Sequence, residues 1–190
     1  MNRGYHEIKE HGKREFPFNI YPCSIPVDFS HVALHWHEEM EIIAVKKGKG
    51  RITVDTVSYP VEEGDILAVF PGQLHAISCG NGERMEYENI IFRLSMLMGD
   101  NGDGCTVHFL KPLQEGQAKN PVLIQRNQPD HEVFGKVIQE LDRFSEIRGN
   151  GYQLAVKGQL FLFLYYAYGR GILFTEKKPG HAREKIKGIL

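Results

Sequence analysis

The chain has little cysteine and no cysteine pair. Its 190 residues hold three cysteines, Cys23, Cys79 and Cys105, odd in number and widely spaced. Without a CxxC, a zinc ribbon or dithiol redox motif is excluded. Free thiols are expected of a reducing, cytoplasmic compartment. Long apolar runs are also missing. The longest, Leu160 to Tyr168, has nine residues, against the ~20 that a membrane-spanning helix needs. No membrane partner is expected, and the opening MNRGYHEIKEHGKREF shows no apolar core of a signal peptide. Charge of either sign is not in excess: 23 basic and 24 acidic residues give a formal net charge of −1. Nucleic-acid binding calls for a basic stripe or a strongly basic domain, so this segment is not expected to touch DNA itself. Hydrophobic residues make up 42%. That suffices for one domain with a helical appendage, stable without disulfides or metal.

What is present falls into a polar arm and two textures. Residues 1–15 are polar and read as an arm that orders only if it docks. From Phe16 short apolar or alternating segments follow one another. The pattern predicts strands at Phe18–Tyr21, Val32–His37, Glu41–Lys46, Arg51–Val54, Ser58–Val61, Ile66–Phe70, Leu74–Ser78 and Tyr87–Arg93, with one more over 121–126. Turn residues punctuate them: Gly48-Lys49-Gly50, Asp55-Thr56, Glu62-Glu63-Gly64, Pro71-Gly72 and Gly80-Asn81-Gly82. Many short strands with tight turns imply a sandwich or barrel, over residues 16–128. The loop MGDNGDGC fails as a calcium loop, because Gly102 stands where an acidic ligand belongs.

After Pro129 the period changes. Val133, Phe134, Val137, Ile138, Leu141 and Phe144 recur at helical steps, with Asp130 as the expected cap and Gly149-Asn150-Gly151 as the stop. A second helix from Tyr152 to Gly169 is apolar nearly all round, so it must be covered on more than one side. The barrel can cover one side and a second subunit the other. Residues 129–175 are therefore expected to be a two-helix dimerisation segment, and the aromatic run Phe161, Phe163, Tyr165, Tyr166, Tyr168 its core and interface. Residues 176–190 read as a linker followed by an amphipathic helix that does not complete.

The chemistry lies in two pieces. The first is His35-Trp36-His37-Glu38-Glu39-Met40-Glu41. On a strand His35 and His37 share a face, Trp36 points oppositely, and Glu41 returns to the histidine face past a small bend. The second, Pro71-Gly72-Gln73-Leu74-His75, delivers a third imidazole from another strand. A glutamate opening a strand is ordinarily a solvated edge residue. Its place relative to two histidines is what singles out Glu41. Three imidazoles and one carboxylate suit a divalent first-row ion such as zinc, nickel or iron, with positions left open. Ile43, Val45 and Phe70 are expected to line the apolar wall of a pocket that starts from His35, His37, Glu41 and His75. Trp36 is expected to pack outside, against the helices or the arm.

This arrangement resembles the cupin superfamily. Its first motif is matched by His35, His37, Glu41 and Gly48, and its second by Gly64, Gly72 and His75. The first motif lacks its leading glycine, Pro71 adjoins Gly72, and the asparagine after the last histidine is absent. The stretch from His35 to Ile77, with YENIIFRLS and the helical pair after it, is similar to the N-terminal sensor domain of AraC-type transcription regulators, and REKIKGIL to the opening of their helix-turn-helix half. The resemblance implies a mainly β, cupin-like double-stranded β-helix (a jelly-roll barrel) followed by a C-terminal α-helical pair. It also implies a small-molecule effector (a sugar is one class), a homodimer through the C-terminal helices, DNA contacts only through a further C-terminal domain, and no enzymatic activity. The alternative is a metal-dependent cupin enzyme, a dioxygenase or isomerase.

Overall fold

The computed structural model describes residues 5–100, 102–172 and 174. The expected linker and incomplete helix of residues 176–190 lie outside them. Eight strands form the first two thirds: β1 (Phe18–Ile25), β2 (Val32–His35), β3 (Met40–Val54), β4 (Val57–Glu62), β5 (Ile66–Val69), β6 (His75–Ser78), β7 (Met85–Phe92) and β8 (Val122–Ile124). One sheet runs β1-β7-β3-β5-β8; the second joins β2 to β6, β6 to β3 and β3 to β4. All these pairings are antiparallel. The two sheets make a jelly-roll barrel, and the helices α2 (His131–Ile147) and α3 (Tyr152–Gly169) follow it.

β3 belongs to both sheets. Its first half pairs with β5 and β7, its second with β4 and β6. The expected turn at Gly48-Lys49-Gly50 is therefore a correction, because the strand runs through it. Gly48 takes φ +77, and a Cβ there would collide with the Arg84 carbonyl oxygen. Glycine lets the strand bend from one sheet to the other, since an L side chain is strained in that region.

Strand alternation divides the core in two. Ile43 and Val45 of β3 and Leu67 and Val69 of β5 face the barrel interior with Ile25, Ile52 and Tyr87. Met40, Ile42, Ala44, Ile66, Ala68 and Phe70 face the other way, against Phe134, Leu141, Leu160 and Phe163 of the helices. Each fully buried aliphatic or aromatic side chain contributes about 1.5–3 kcal/mol. Phe134 and Phe163 meet edge to face, centroids 5.3 Å apart. At the sheet–helix seam Lys46 Nζ lies 2.6 Å from Glu88 and 2.9 Å from Asp142.

Two further expectations are corrected. Asp130 makes no side-chain cap on α2; its carboxylate accepts instead from Arg170 Nη1 at 2.6 and 2.7 Å. Arg170 Nη2 also donates to the Leu123 carbonyl at 3.1 Å and to Gln128 Oε1 at 2.8 Å, which fastens the end of α3 to β8. α2 stops at Ile147, before the glycines, on Arg148 in the left-handed region with φ 45. The glycine-rich loop leads into a helical stretch over 104–114, ending in α1 (Lys111–Gln114). Asp103 starts it, accepting from the Thr106 amide at 2.8 Å and the Thr106 hydroxyl at 2.6 Å.

The arm is docked. Trp36 N donates to the Tyr5 carbonyl at 2.8 Å and Glu7 N to the Trp36 carbonyl at 3.0 Å. The His6 ring stacks on Trp36 with centroids 4.2 Å apart. This is the outside, arm-facing position expected for Trp36.

Candidate metal centre

Two turns bring the donors together. Pro71-Gly72 closes a β-turn in which Gln73 N donates to the Phe70 carbonyl at 3.1 Å, with Gly72 at φ +77. Proline then glycine at the central positions is the signature of a type II turn. Gly72 N donates to the His37 carbonyl at 2.8 Å, which ties the turn before His75 to the segment carrying His37. β2 pairs with β6 so that His35 lies opposite His75. Glu41, at the start of β3, points inward between them.

His35, His37, Glu41 and His75 each offer one ligand atom, and these atoms all lie within 4.8 Å of one another. Glu41 Oε2 is 3.0 Å from His37 Nε2 and 2.9 Å from His75 Nε2. Glu41 is 1% exposed, His75 fully buried and His37 3% exposed; His35 is the outermost, its side chain 19% exposed.

Each imidazole is oriented from behind. Nδ1 of His35 lies 2.9 Å from the Ala33 carbonyl, that of His37 3.1 Å from Glu39, and that of His75 3.0 Å from Gln73. A carbonyl only accepts, so each Nδ1 carries the proton and each Nε2 faces the centre. Such outer hydrogen bonds are what hold histidines in the tautomer that binds a metal. For His37 to donate to Glu41, its Nε2 must carry a second proton, which its raised pKa favours. An ion bound there would take the place of that proton.

The electrostatics agree. Burial pushes His37 down, but the hydrogen bond and charge of Glu41 outweigh it, and its pKa is raised above the ordinary 6.5. Burial opposes ionisation of Glu41, yet His75 and His37 hold it ionised well below the usual carboxylate range. Burial and the neighbouring His75 lower His35. A carboxylate and three imidazoles that stay unprotonated when a cation displaces their protons fit a first-row divalent ion.

Of the expected pocket residues, Ile43 and Val45 lie on the inward face of β3 below Glu41, with 0% and 3% exposure. Phe70 is not with them. One residue past β5, it falls on the alternate face and packs toward the helices. A cleft of about 480 Å³ borders the centre, lined by Trp36, His37, Glu38, Pro71, Gly72 and Arg93 among others.

Three residues near the centre went unmarked in the sequence. Buried Glu39 accepts from Arg93 Nε at 2.7 Å and lies 3.7 Å from His37 Nδ1. Glu7 Oε2 approaches His35 Nε2 to 3.5 Å. His11 is 5% exposed, its Nδ1 3.2 Å from the Tyr21 hydroxyl.

Residues 26–164 match the model of a family described as the AraC-like ligand binding domain. A stretch of 88 residues is 27% identical to an uncharacterized HTH-type transcriptional regulator, YdeC, of Bacillus subtilis (strain 168). It covers 46% of this chain and 30% of that protein, so the chain accounts for under a third of the regulator's length. ToxT from Vibrio cholerae superposes with a TM-score of 0.50 at 15% identity, over 90% of this chain and 62% of that one. A Cupin 2 conserved barrel domain protein from Salinispora arenicola matches 47% of this chain and 74% of its own at 21% identity and a TM-score of 0.38. Among the described residues no helix is long and apolar enough to cross a membrane. The matched region takes in β2 to β8, all of α2 and most of α3, well over half of the chain, and the chain belongs to the AraC-like ligand-binding domain family.

Proposed function

We propose that this domain is the effector-sensing and dimerising part of a cytoplasmic transcription regulator, and that its sensor centre holds a divalent metal ion. The observation that carries the reading is a buried donor set at the rim of a cleft: His37 belongs to both. The ion would be held by His35, His37, Glu41 and His75 and would supply a Lewis-acidic contact for an oxygen-bearing metabolite, a sugar among the candidates. His37 and Arg93, which line the cleft, would orient that metabolite, and Ile43 and Val45 would close the barrel interior beneath Glu41. DNA would be bound by a helix-turn-helix domain outside this chain. Effector binding alters regulation only if one arrangement of the protein binds it better than another.

α3 supports the dimer. Leu154, Phe161 and Tyr165 are 77%, 40% and 71% exposed and recur at steps of seven and four, with Leu162 beside them at 42%. They form one apolar stripe facing away from the barrel, which a second copy would cover.

The test is elemental analysis of untagged protein purified without chelator, with a thermal-shift panel of sugars and other metabolites. The expected result is about one metal ion per chain, lost in His35→Ala, and at least one stabilising metabolite recovered unchanged. A metabolite at 100 times its Kd stabilises by about 2.7 kcal/mol. The absence of both metal in the wild type and a shift with any compound would reject the reading. The completeness of the donor set favours a second reading, a metal-dependent cupin enzyme such as a dioxygenase or isomerase. Conversion of the stabilising compound by metal-loaded protein would establish it instead.

A further inference from the structure

The four donors are not the only groups aimed at the centre. The arm lies alongside Trp36, held by the backbone bonds from Trp36 N to Tyr5 O and from Glu7 N to Trp36 O. Alternation sends His6 onto the Trp36 ring and Glu7 the other way, toward His35. Since Nδ1 of His35 is committed to the Ala33 carbonyl, the Nε2 that Glu7 Oε2 approaches to 3.5 Å is the nitrogen that faces the centre. Two donors of one ion, each about 2.1 Å from it, stand about 3.0–3.4 Å apart. The Glu7–His35 separation is close to that spacing, as are the 3.0 and 2.9 Å from Glu41 to His37 and His75. Glu7 stands outside the set of donors that all lie within 4.8 Å of one another, so its side chain, 31% exposed, must swing inward to join them.

A second arm residue marks the same place. His11 is buried, its ring centroid 6.2 Å from that of His37, and its Nε2 has no hydrogen-bond partner. The arm therefore passes the centre twice, with a carboxylate and with an imidazole.

We propose that Glu7 is a further ligand of the ion, so that metal occupancy latches the N-terminal arm onto the barrel mouth. The latch rests on the metal reading above and adds to it a residue outside the barrel. With Glu7 bound, one open coordination position is closed. A metabolite that needs that position must displace Glu7, and the arm's hold on the mouth is then reduced to the Trp36 contacts and the buried His11.

The test uses the full chain, untagged and stripped of metal, with Zn²⁺ as the probe because it has no redox chemistry. Affinity is read by competition with a chromophoric chelator. Arm docking is read by fluorescence of Trp36, the single tryptophan, and by trypsin cleavage at Lys9, Lys13 and Arg14. Zn²⁺ is expected to protect those sites in the wild type. Glu7→Gln should lower the affinity about 10–100-fold, as loss of a supporting group at a metal site does, and abolish the protection. Glu10→Gln, an exposed acid on the same arm, should change neither. If Glu7→Gln binds Zn²⁺ as tightly as the wild type, with the same protection, the latch is wrong while the four-residue site stands. An equal loss in Glu10→Gln would mean general charge attraction and would also overturn it. A wild type that does not bind Zn²⁺ at all removes the metal reading and the latch together.

Discussion

Replacing Glu41 with glutamine in metal-stripped protein isolates the charge at the centre. Glu41 Oε2 accepts from both His37 and His75 at a site 1% exposed, so the variant keeps the shape and removes the anion. The pH dependence follows from two opposite shifts. His37 is raised above 6.5, so its contribution is fully present below 6.5 and lost as pH rises through the higher folded value. Glu41 is depressed below 4.5, so its contribution is present above 4.5 and lost as pH falls through the lower folded value. The pair stabilises most between these limits. In Glu41→Gln only burial still acts strongly on His37, so the acid side is penalised instead. Near pH 5.5 the cost should be about 3 kcal/mol, the low end for breaking a buried ion pair. At alkaline pH, once His37 has passed its raised pKa and lost its charge, it should shrink to about 1 kcal/mol, the value of a hydrogen bond. Urea denaturation in chelator, followed by circular dichroism at both pH values, measures the difference. A loss that is equal at the two, or larger at the alkaline one, would refute the reasoning.

Zinc affinity should fall as pH drops through the raised pKa of His37, because the ion must displace the Nε2 proton that Glu41 retains; calorimetry in buffers of different ionisation enthalpy should show proton release on binding. Phe163→Ala should cost about 3–5 kcal/mol in denaturant midpoint analysis, since the ring is fully buried and packs edge to face on Phe134. Gly48→Ala should cost more than 1 kcal/mol through left-handed φ and the clash with the Arg84 carbonyl. The same substitution at Gly158, on α3 and with open space around its Cβ position, should be neutral or stabilising.

The donor set was legible because strand alternation is a local rule. His35 and His37 share a face at a spacing of two, and the Pro71-Gly72 turn before His75 is written in its own residues. The same rule applied to β5 would have placed Phe70 on the helix side, since Ile66, Ala68 and Phe70 form one alternate set. What the sequence concealed depends on partners far along the chain. Gly48-Lys49-Gly50 looks like a turn until β3 is seen to bend between two sheets. Asp130 looks like a cap until Arg170, forty residues on, claims its carboxylate. Glu7 and His11 are ordinary charged-arm residues by composition. Only docking on Trp36 and Tyr21 gives them a place near the centre.

The Arg170 clamp has a mechanical consequence. The inward face of β3 carries Glu41 and Ile43; Ile43 pairs with Leu67 of β5, and Leu67 with Leu123 of β8. The Leu123 carbonyl is held by Arg170, at the last turn of α3. Each crossing is a strand ladder or a guanidinium bond, with no loose segment between. A lateral shift of β3 beneath a newly bound ligand would therefore arrive at the foot of α3 as displacement, because the path contains no slack to absorb it. Cutting the guanidinium, as in Arg170→Ala, would leave both ends of the path folded and let the helix foot drift independently of β3.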